Sequence, residues 1–146
     1  MVMRSRTPWA AKLHPACQPQ IVASRRGLMF VPTPLLVAAE LRRVPRGRLI
    51  TPALLRERLA RRAGVDLTCP MTTGIFLNIV AGATEEAIAE GRRPVAPYWR
   101  VVDDAGRLPP KFPPGRERQA EHLRSEGHPI SRDGRVRDVA SSLMRR

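Results

Sequence analysis

At two places in the sequence a threonine stands directly before a proline at the head of an apolar segment, at Thr33-Pro34 and at Thr51-Pro52. A threonine side chain can accept a hydrogen bond from a free N–H of the first helical turn, and proline suits the first helical position because no hydrogen-bond partner is needed there. Each pair therefore predicts the start of a helix. The first predicted helix is TPLLVAAELRR, and the second is TPALLRERLARRAG, which ends at Gly64.

A third and longer helix is predicted in CPMTTGIFLNIVAGATEEAIAEGRR, because its apolar residues recur at the helical period and form one stripe. The stripe consists of Ile75, Phe76, Ile79, Val80, Ala83 and Ala87. Thr72 or Thr73 is the expected N-terminal cap of this helix. Together with the second helix it resembles a helix-turn-helix unit, in which the longer helix is the second one.

Short β-elements are predicted after the third helix. WRVV is expected to form a strand, DDAG a turn, and GRERQAEHLRSEG a polar helix that ends at Gly127. Asp133-Gly134 is a hairpin signal between Ile130 and Val136. The predicted fold class is therefore mainly α with short β-elements, in a winged helix-turn-helix domain that binds DNA.

The chain of 146 residues has room for one core of modest size. Residues 1–30 show no persistent helical or strand period and are predicted to form a basic, flexible arm. Residues 31–130 are predicted to form the winged-helix domain, and residues 131–146 a short C-terminal hairpin or tail.

The chain carries 26 Lys and Arg against 13 Asp and Glu, which gives a formal net charge of +13. Lys12 and Lys111 are its only lysines. A GC-rich genome would explain this preference for arginine over lysine, but it would not explain the net charge. Arginine favours nucleic acid, because its guanidinium forms paired contacts with phosphate and stacks on bases. Up to residue 62 the only acidic residues are Glu40 and Glu57, so the first half is expected to contact a polyanion.

Residue patterns typical of enzymes and metal sites are missing from the sequence. His14 and Cys17 have no second pair to complete a zinc site, and no phosphate-binding glycine loop is present, so neither a metal nor a cofactor is expected. The other ionisable groups considered are interpreted as solvent-facing or turn residues: Glu85, Glu86, Asp103, Asp104, His122 and His128.

No stretch approaches the roughly 18 consecutive apolar residues that a membrane span requires. The segment MVMRSRTPWAAKLHPACQPQ has no apolar run typical of a secretory signal. A cytoplasmic location without membrane association is therefore expected, and the two cysteines, Cys17 and Cys69, fit a reducing compartment.

Four segments follow one another in the order and at the spacing found in a known family. VPRGRLIT matches the family's Pro-x-Gly-x-hydrophobic-x-Thr segment, which in the family precedes its first helix. PYWRVV stands at the place of the family's Pro-Cys-His-Arg-Val signature. DDAGRL matches the turn that follows, and ERQAEHLRSEGH matches the last helix. From about Val31 to His128 the chain therefore resembles the DNA-binding domain of the O6-alkylguanine-DNA alkyltransferases and of their alkyltransferase-like relatives.

The resemblance implies that the alkyl-transfer activity of the family has been lost. Tyr98 stands at the position of the acceptor cysteine and Trp99 at that of the neighbouring histidine, while Glu126 remains. A phenol with an ordinary pKa of about 10 is a poor nucleophile at neutral pH. Like the alkyltransferase-like proteins, the chain is expected to be no enzyme and to bind O6-alkylguanine flipped out of duplex DNA. The expected pocket residues are Pro97, Tyr98, Trp99 and Glu126.

The start of the third helix departs from the family. Met71 or Thr72 stands where the family uses an arginine to fill the gap left by the flipped base, which implies an apolar wedge or a loss of base flipping. Pro52 follows Thr51 where the family has a tyrosine. The residues expected to contact DNA are Met71, Thr72, Thr73, Arg46, Arg48 and Arg100.

Two alternatives remain open. Cys69, at the start of the third helix, could act as an atypical alkyl acceptor, because a helix dipole can lower the pKa of a thiol. The chain could instead be a general nucleic-acid-binding module that has lost lesion recognition. In the leading interpretation the partners are duplex DNA carrying an alkylated base and a downstream repair protein, and the chain acts as a monomer.

Overall fold

The computed structural model describes residues 8–13 and 18–145. In chain order the elements are a 3-10 helix (Trp9–Leu13), strands β1 (Gln20–Ser24) and β2 (Gly27–Val31), helices α1 (Pro34–Leu41) and α2 (Pro52–Ala63), strand β3 (Leu67–Thr68), helix α3 (Pro70–Ala89), a second 3-10 helix (Tyr98–Arg100), and helices α4 (Arg116–Ser125) and α5 (Val139–Ser142). The predicted class, mainly helical with short β-elements, is confirmed.

Helices α1 and α2 start where the sequence predicts. The Thr33 hydroxyl oxygen accepts a hydrogen bond from the Leu36 N–H at 3.3 Å, and that of Thr51 accepts one from the Leu54 N–H at 3.2 Å. Each cap contributes about 1 kcal/mol to stability. Gly64 ends α2 with a left-handed backbone (φ 72°), which a residue without a Cβ adopts at little cost.

Helix α3 begins earlier than predicted. Cys69 precedes its first residue, Pro70, and no side chain caps the helix. The hydroxyl of buried Thr73 donates to the Cys69 carbonyl at 2.7 Å, so the prediction of a cap at Thr72 or Thr73 is wrong. Most of the predicted stripe is buried, but Ile75 remains 50% exposed near the start of the helix. Among the described residues, no helix combines the length and the apolar character needed to cross a membrane.

A three-stranded sheet occupies part of the segment predicted as an arm. β1 and β2 form an antiparallel hairpin, and β3 pairs with β2 in parallel. Phe30 of β2 is buried in the core, and the Asp66 carboxylate accepts a hydrogen bond from the Leu28 N–H at 2.8 Å. The prediction that residues 1–30 lack a strand is therefore wrong for residues 20–30, because partners distant in sequence stabilise the hairpin.

The 3-10 helix Trp9–Leu13 packs against the middle of α3. The backbone N–H groups of Trp9 and Ala10 donate to the Glu86 carboxylate at 2.8 and 2.9 Å. A Cβ at Gly82 would overlap the Trp9 indole, so only glycine admits this ring against the helix. Glu86 therefore binds the backbone of this turn, and the prediction that it is a helix-surface residue is wrong. His14 and Cys17, considered as a metal pair in the sequence, lie outside the described residues.

The segment after α3 differs from the predicted strand. Trp99 and Arg100 of WRVV, together with the preceding Tyr98, form the second 3-10 helix, and Val101 makes a single parallel bridge to Ile50. The predicted hairpin is confirmed, since Ile130 and Val136 form an antiparallel bridge. After it, the chain continues into α5 and returns to the centre of the domain, where the backbone N–H of residue 144 donates to the carbonyl of residue 49 at 2.7 Å.

The substitution Gly82→Ala is expected to release the Trp9–Leu13 turn from α3, because the added methyl group overlaps the Trp9 indole. Endoproteinase Lys-C, which cuts after lysine, should then cleave after Lys12 faster than in the parent protein. Gly74→Ala in the same helix is the matched control, since no described atom outside its own helical surroundings lies within 4 Å of its Cβ position. Equal cleavage rates in the two variants would show that this contact does not hold the turn.

Candidate nucleic-acid interface

A cleft of about 380 Å³ opens beside the N-terminal end of α3. Its wall is built from the first turns of α3, from the start of α2 and from the segment 101–112. Apolar side chains dominate the wall, and Arg56 and Lys111 add two positive charges to it. The volume lies within the range of sites that hold small organic molecules, about 300–1,000 Å³.

Two large apolar side chains of α3 are unusually exposed at this cleft. Met71 is 76% exposed and Ile75 is 50% exposed, and both contribute to the wall. Phe112 and Val101 are among the buried residues of the same wall. The arrangement can bind an apolar group while the two cations attract negative charge.

The residues of α3 predicted to contact DNA lie at this end of the helix. Met71 is exposed at the cleft wall, and Thr72 is half-buried. Thr73 contributes to the wall, but its side chain is buried and its hydroxyl is already bonded to the Cys69 carbonyl. Met71 is therefore the one of the three whose side chain is largely free to contact a ligand.

The three arginines predicted to contact DNA already donate to groups of the protein. Arg46 donates to the Ser125 carbonyl at 2.7 Å, and Arg48 donates to the carbonyls of residues 142 and 143 at 3.0 and 3.1 Å. Arg46 and Arg48 are exposed. Arg100 is half-buried and holds the Val44 carbonyl at 2.6 Å through Nη1. Of the three, Arg100 has the most clearly structural position.

Tyr98 lies in the interior of the domain, with none of its surface exposed. Its hydroxyl donates to Glu85 Oε2 at 2.6 Å, and its ring contacts Trp99 and Phe112 edge to face at centroid distances of 5.5 and 5.4 Å. Burial, together with the neighbouring Glu85 carboxylate, raises the pKa of the Tyr98 hydroxyl far above its ordinary value. Tyr98 is therefore not exposed at the cleft, and its ring packs against Phe112, which belongs to the cleft wall.

Glu85 connects three parts of the domain. In addition to the Tyr98 hydroxyl, its carboxylate accepts a hydrogen bond from Arg118 Nε at 2.8 Å and lies 2.7 Å from His122 Nε2. Burial raises the pKa of Glu85, but these hydrogen bonds outweigh it and hold the pKa below its usual value. His122 also stacks on Trp99 with a centroid distance of 4.0 Å. The predictions that Glu85 and His122 lie on the solvent side are therefore wrong.

Glu126 forms the second buried network. Its side chain is 2% exposed and accepts hydrogen bonds from Trp99 Nε1 at 2.9 Å and from Arg100 Nε and Nη2 at 3.0 and 2.7 Å. Burial opposes ionisation, but Arg100 and Trp99 outweigh it and lower the pKa of Glu126. His128, predicted to face solvent, is also buried here, and burial lowers its pKa.

The four residues of the predicted lesion pocket thus occupy the interior or its edge. None of Pro97, Tyr98, Trp99 and Glu126 belongs to the wall of the cleft at α3. Their role in contacting a base stays a prediction. In this structure Tyr98 packs against Phe112 of the cleft wall, and Val101 of the same wall directly follows the second 3-10 helix.

Several residues of this region are absent from the sequence-based predictions. Phe112 lies in the segment PPKFPP, where an aromatic residue between prolines was a usable signal for a rigid, functional loop. Gln119 is fully buried and donates to the carbonyls of Trp99 and Val101 at 3.0 and 2.9 Å. Nothing in its local sequence marks Gln119 as buried, because it lies on a polar helix.

Cys69 lies at the N-terminal end of α3 and is half-buried. Burial raises the pKa of its thiol, but the nearby Thr72 hydroxyl and the backbone N–H groups of Thr72 and Met71 outweigh this and lower the pKa. Within residues 8–13 and 18–145, no cluster of three or more His, Cys, Asp or Glu side chains is placed to hold a metal ion.

Comparison with known proteins supports the fold. No family model matches the chain, and no curated protein sequence matches it. Among solved structures, the crystal structure of S. pombe Atl1 in complex with damaged DNA containing O6-carboxymethylguanine is similar, with a TM-score of 0.52. The sequences are 17% identical, and the match covers 77% of this chain and 94% of that chain. At this identity the similarity establishes a shared fold.

The substitution Glu126→Gln is expected to lower the free energy of unfolding by about 3 kcal/mol at neutral pH, because it leaves the Arg100 charge buried without a counterion. The pKa of Glu126 is lower in the folded protein than its ordinary value of 4.5. Its stabilising contribution is therefore complete above that pH and is lost as the pH falls through the folded pKa. Urea unfolding should show a gap between parent and variant that closes towards acidic pH.

The matched control is Glu121→Gln on α4. Glu121 pairs with Arg118 at 2.9 Å, but its side chain is 59% exposed, so the loss should be about 0.5 kcal/mol or less. Similar losses for the two variants, or a gap for Glu126→Gln that does not change with pH, would contradict the assigned role of the buried pair.

Proposed function

We propose that this protein binds duplex DNA and recognises an alkylated guanine of the O6-alkylguanine class without repairing it. The observation that carries the proposal is the cleft beside the exposed start of α3, where apolar walls are combined with Arg56 and Lys111. The net charge of +13 supplies the attraction to the phosphate backbone. The fold shared with Atl1, whose solved complex contains O6-carboxymethylguanine, supports the same class of ligand.

In this proposal the N-terminal end of α3 enters a groove of the duplex, and α2 and α3 act as a helix-turn-helix unit within a winged-helix domain. Met71, 76% exposed, would fill the gap that an extruded base leaves in the stack. Apolar side chains act as such wedges in several minor-groove proteins, and a thioether adapts to an irregular gap. Arg56 and Lys111 would contact the phosphates on either side of the cleft.

Phe112 is proposed as the aromatic side chain that contacts the extruded base. Phe112 is largely buried but contributes to the cleft wall, whereas Tyr98 has no exposed surface and packs against Phe112 edge to face. Bases stack on aromatic side chains whatever the base sequence, so a phenylalanine serves this role as well as a tyrosine. Tyr98 and Trp99 would act indirectly, by holding Phe112 and Val101 in position.

The proposal that the protein does not transfer an alkyl group rests on the burial and the raised pKa of the Tyr98 hydroxyl. A nucleophilic oxygen must be reachable and ionised, but this hydroxyl is buried and its pKa is raised far above the ordinary value. The protein would therefore mark the lesion for a downstream repair protein, acting as a monomer in the cytoplasm.

A short duplex containing one O6-methylguanine is expected to bind more tightly than the same duplex containing guanine. Fluorescence anisotropy at two salt concentrations measures both affinities, and both should fall steeply with salt because phosphate contacts release counterions. Overlapping binding curves would favour the general nucleic-acid-binding module over lesion recognition.

In the same assay Phe112→Ala is expected to reduce the preference for the lesion by about tenfold, because one stacked base contributes about 1–3 kcal/mol. Binding to the unmodified duplex should change little. Tyr98→Phe is the matched control: it removes the hydrogen bond to Glu85 but keeps the ring against Phe112, so the preference should persist. If Tyr98→Phe lost the preference for the lesion and Phe112→Ala kept it, the base contact would be assigned to Tyr98.

An alkyltransferase that uses Cys69 is the second candidate, favoured by the lowered pKa of that thiol. We expect that incubation with the O6-methylguanine duplex leaves the intact mass of the protein unchanged, and that Cys69→Ser keeps its affinity for the lesion. A mass gain of one methyl group in the parent protein, absent from Cys69→Ser, would establish the second candidate instead.

A further inference from the structure

Strand β1 is an edge of the three-stranded sheet. The strand order is β1-β2-β3, so β1 pairs with β2 on one side, and no other strand of the described residues pairs with it. An edge strand presents unpaired backbone N–H and C=O groups that can pair with an added strand. Within residues 8–13 and 18–145, the free side of β1 is therefore available to an extended peptide.

A groove of about 400 Å³ lies beside this edge, between the hairpin and the helices α1 and α2. Ile21 and Phe30 are directly opposed across the hairpin, which places both side chains on the face that lines the groove. Leu36 of α1 and Leu59 of α2 line the opposite side. Ile21 is 53% exposed and Leu36 is 37% exposed, so the groove is an accessible apolar surface.

The charges around the groove are positive. Glu40 lies in its wall, but the carboxylate is 1% exposed and is paired with both Arg58 and Arg62. Arg43, which also lines the groove, is exposed, and the side chain of Arg62 is 51% exposed. The net charge at the rim therefore favours an acidic partner and opposes a second copy of this chain, whose net charge is +13.

We propose that β1 and this groove bind an extended acidic segment of a partner protein, which pairs with the edge of β1 and inserts an aliphatic side chain between Ile21 and Leu36. The walls of this groove and of the cleft at α3 have no described residue in common. A protein bound at the groove leaves the cleft open, so the chain can hold DNA and a partner together.

The test uses the full chain and a labelled short peptide of alternating isoleucine and glutamate. Fluorescence anisotropy should show saturable binding, and the peptide with lysine in place of glutamate should bind at least tenfold more weakly. Ile21→Asp should weaken binding of the acidic peptide by about tenfold or more, because burial of an isoleucine side chain contributes about 1.5–3 kcal/mol. Arg43→Glu should weaken it about fivefold.

Three control variants or measurements distinguish binding at this groove from binding at the cleft, from misfolding and from general charge attraction. Ile75→Asp exchanges a similarly exposed aliphatic residue at the cleft, so it should leave peptide binding unchanged. Ile21→Asp should keep the thermal unfolding temperature and the affinity for duplex DNA, which excludes misfolding as the cause of its weaker peptide binding. Arg93→Glu changes the net charge as much as Arg43→Glu does, at an exposed position outside the groove.

Equal weakening by Arg93→Glu and Arg43→Glu would reduce the effect to general charge attraction and overturn the proposal. An acidic peptide that does not bind, or that binds Ile21→Asp as tightly as the parent protein, would overturn it as well. Sedimentation of the parent protein as a dimer that Ile21→Asp dissociates would overturn it in favour of a second copy as the occupant of the groove.

Discussion

The buried ion pair between Glu126 and Arg100 connects the end of α4 to the segment that leads into the cleft wall at Val101. One carboxylate at the end of α4 holds the Arg100 guanidinium and the Trp99 indole, and the same guanidinium holds the Val44 carbonyl after α1. Burying a charged group costs free energy unless the group is paired and hydrogen-bonded, so removal of either partner is expected to be strongly destabilising. Val101, which follows Arg100 directly, is thereby fixed as part of the cleft wall.

Helix α3 connects several parts of the domain because its two neighbouring glutamates, Glu85 and Glu86, form hydrogen bonds on different faces of the helix. Successive residues of a helix point about 100° apart, since there are about 3.6 residues per turn. Glu85 therefore reaches Tyr98 and the side chains of α4, while Glu86 reaches the backbone of the Trp9–Leu13 turn. At the start of the same helix, the side chain of Met71 is presented to solvent.

The sequence predicted those features of the fold that depend on residues close together in the chain. Thr33, Thr51 and Gly64 mark helix ends because the capping groups lie within a few residues of the N–H and C=O groups that they satisfy. The β1–β2 hairpin and the burial of Tyr98 depend on β3, on α3 and on α4, which no local pattern reveals. The resemblance to a family named Met71 and Thr73, which the structure places at the cleft wall, whereas Phe112 of the same wall was found only in the structure.

The contact between Trp9 and Gly82 makes two distant positions interdependent. A larger side chain at position 82 would exclude the indole, and a smaller side chain at position 9 would leave a void against α3. Proteins descended from a common ancestor with this chain should therefore change the two positions together. A sequence with alanine or a larger residue at position 82 would be expected to have lost the tryptophan, and with it the attachment of its N-terminal segment to α3.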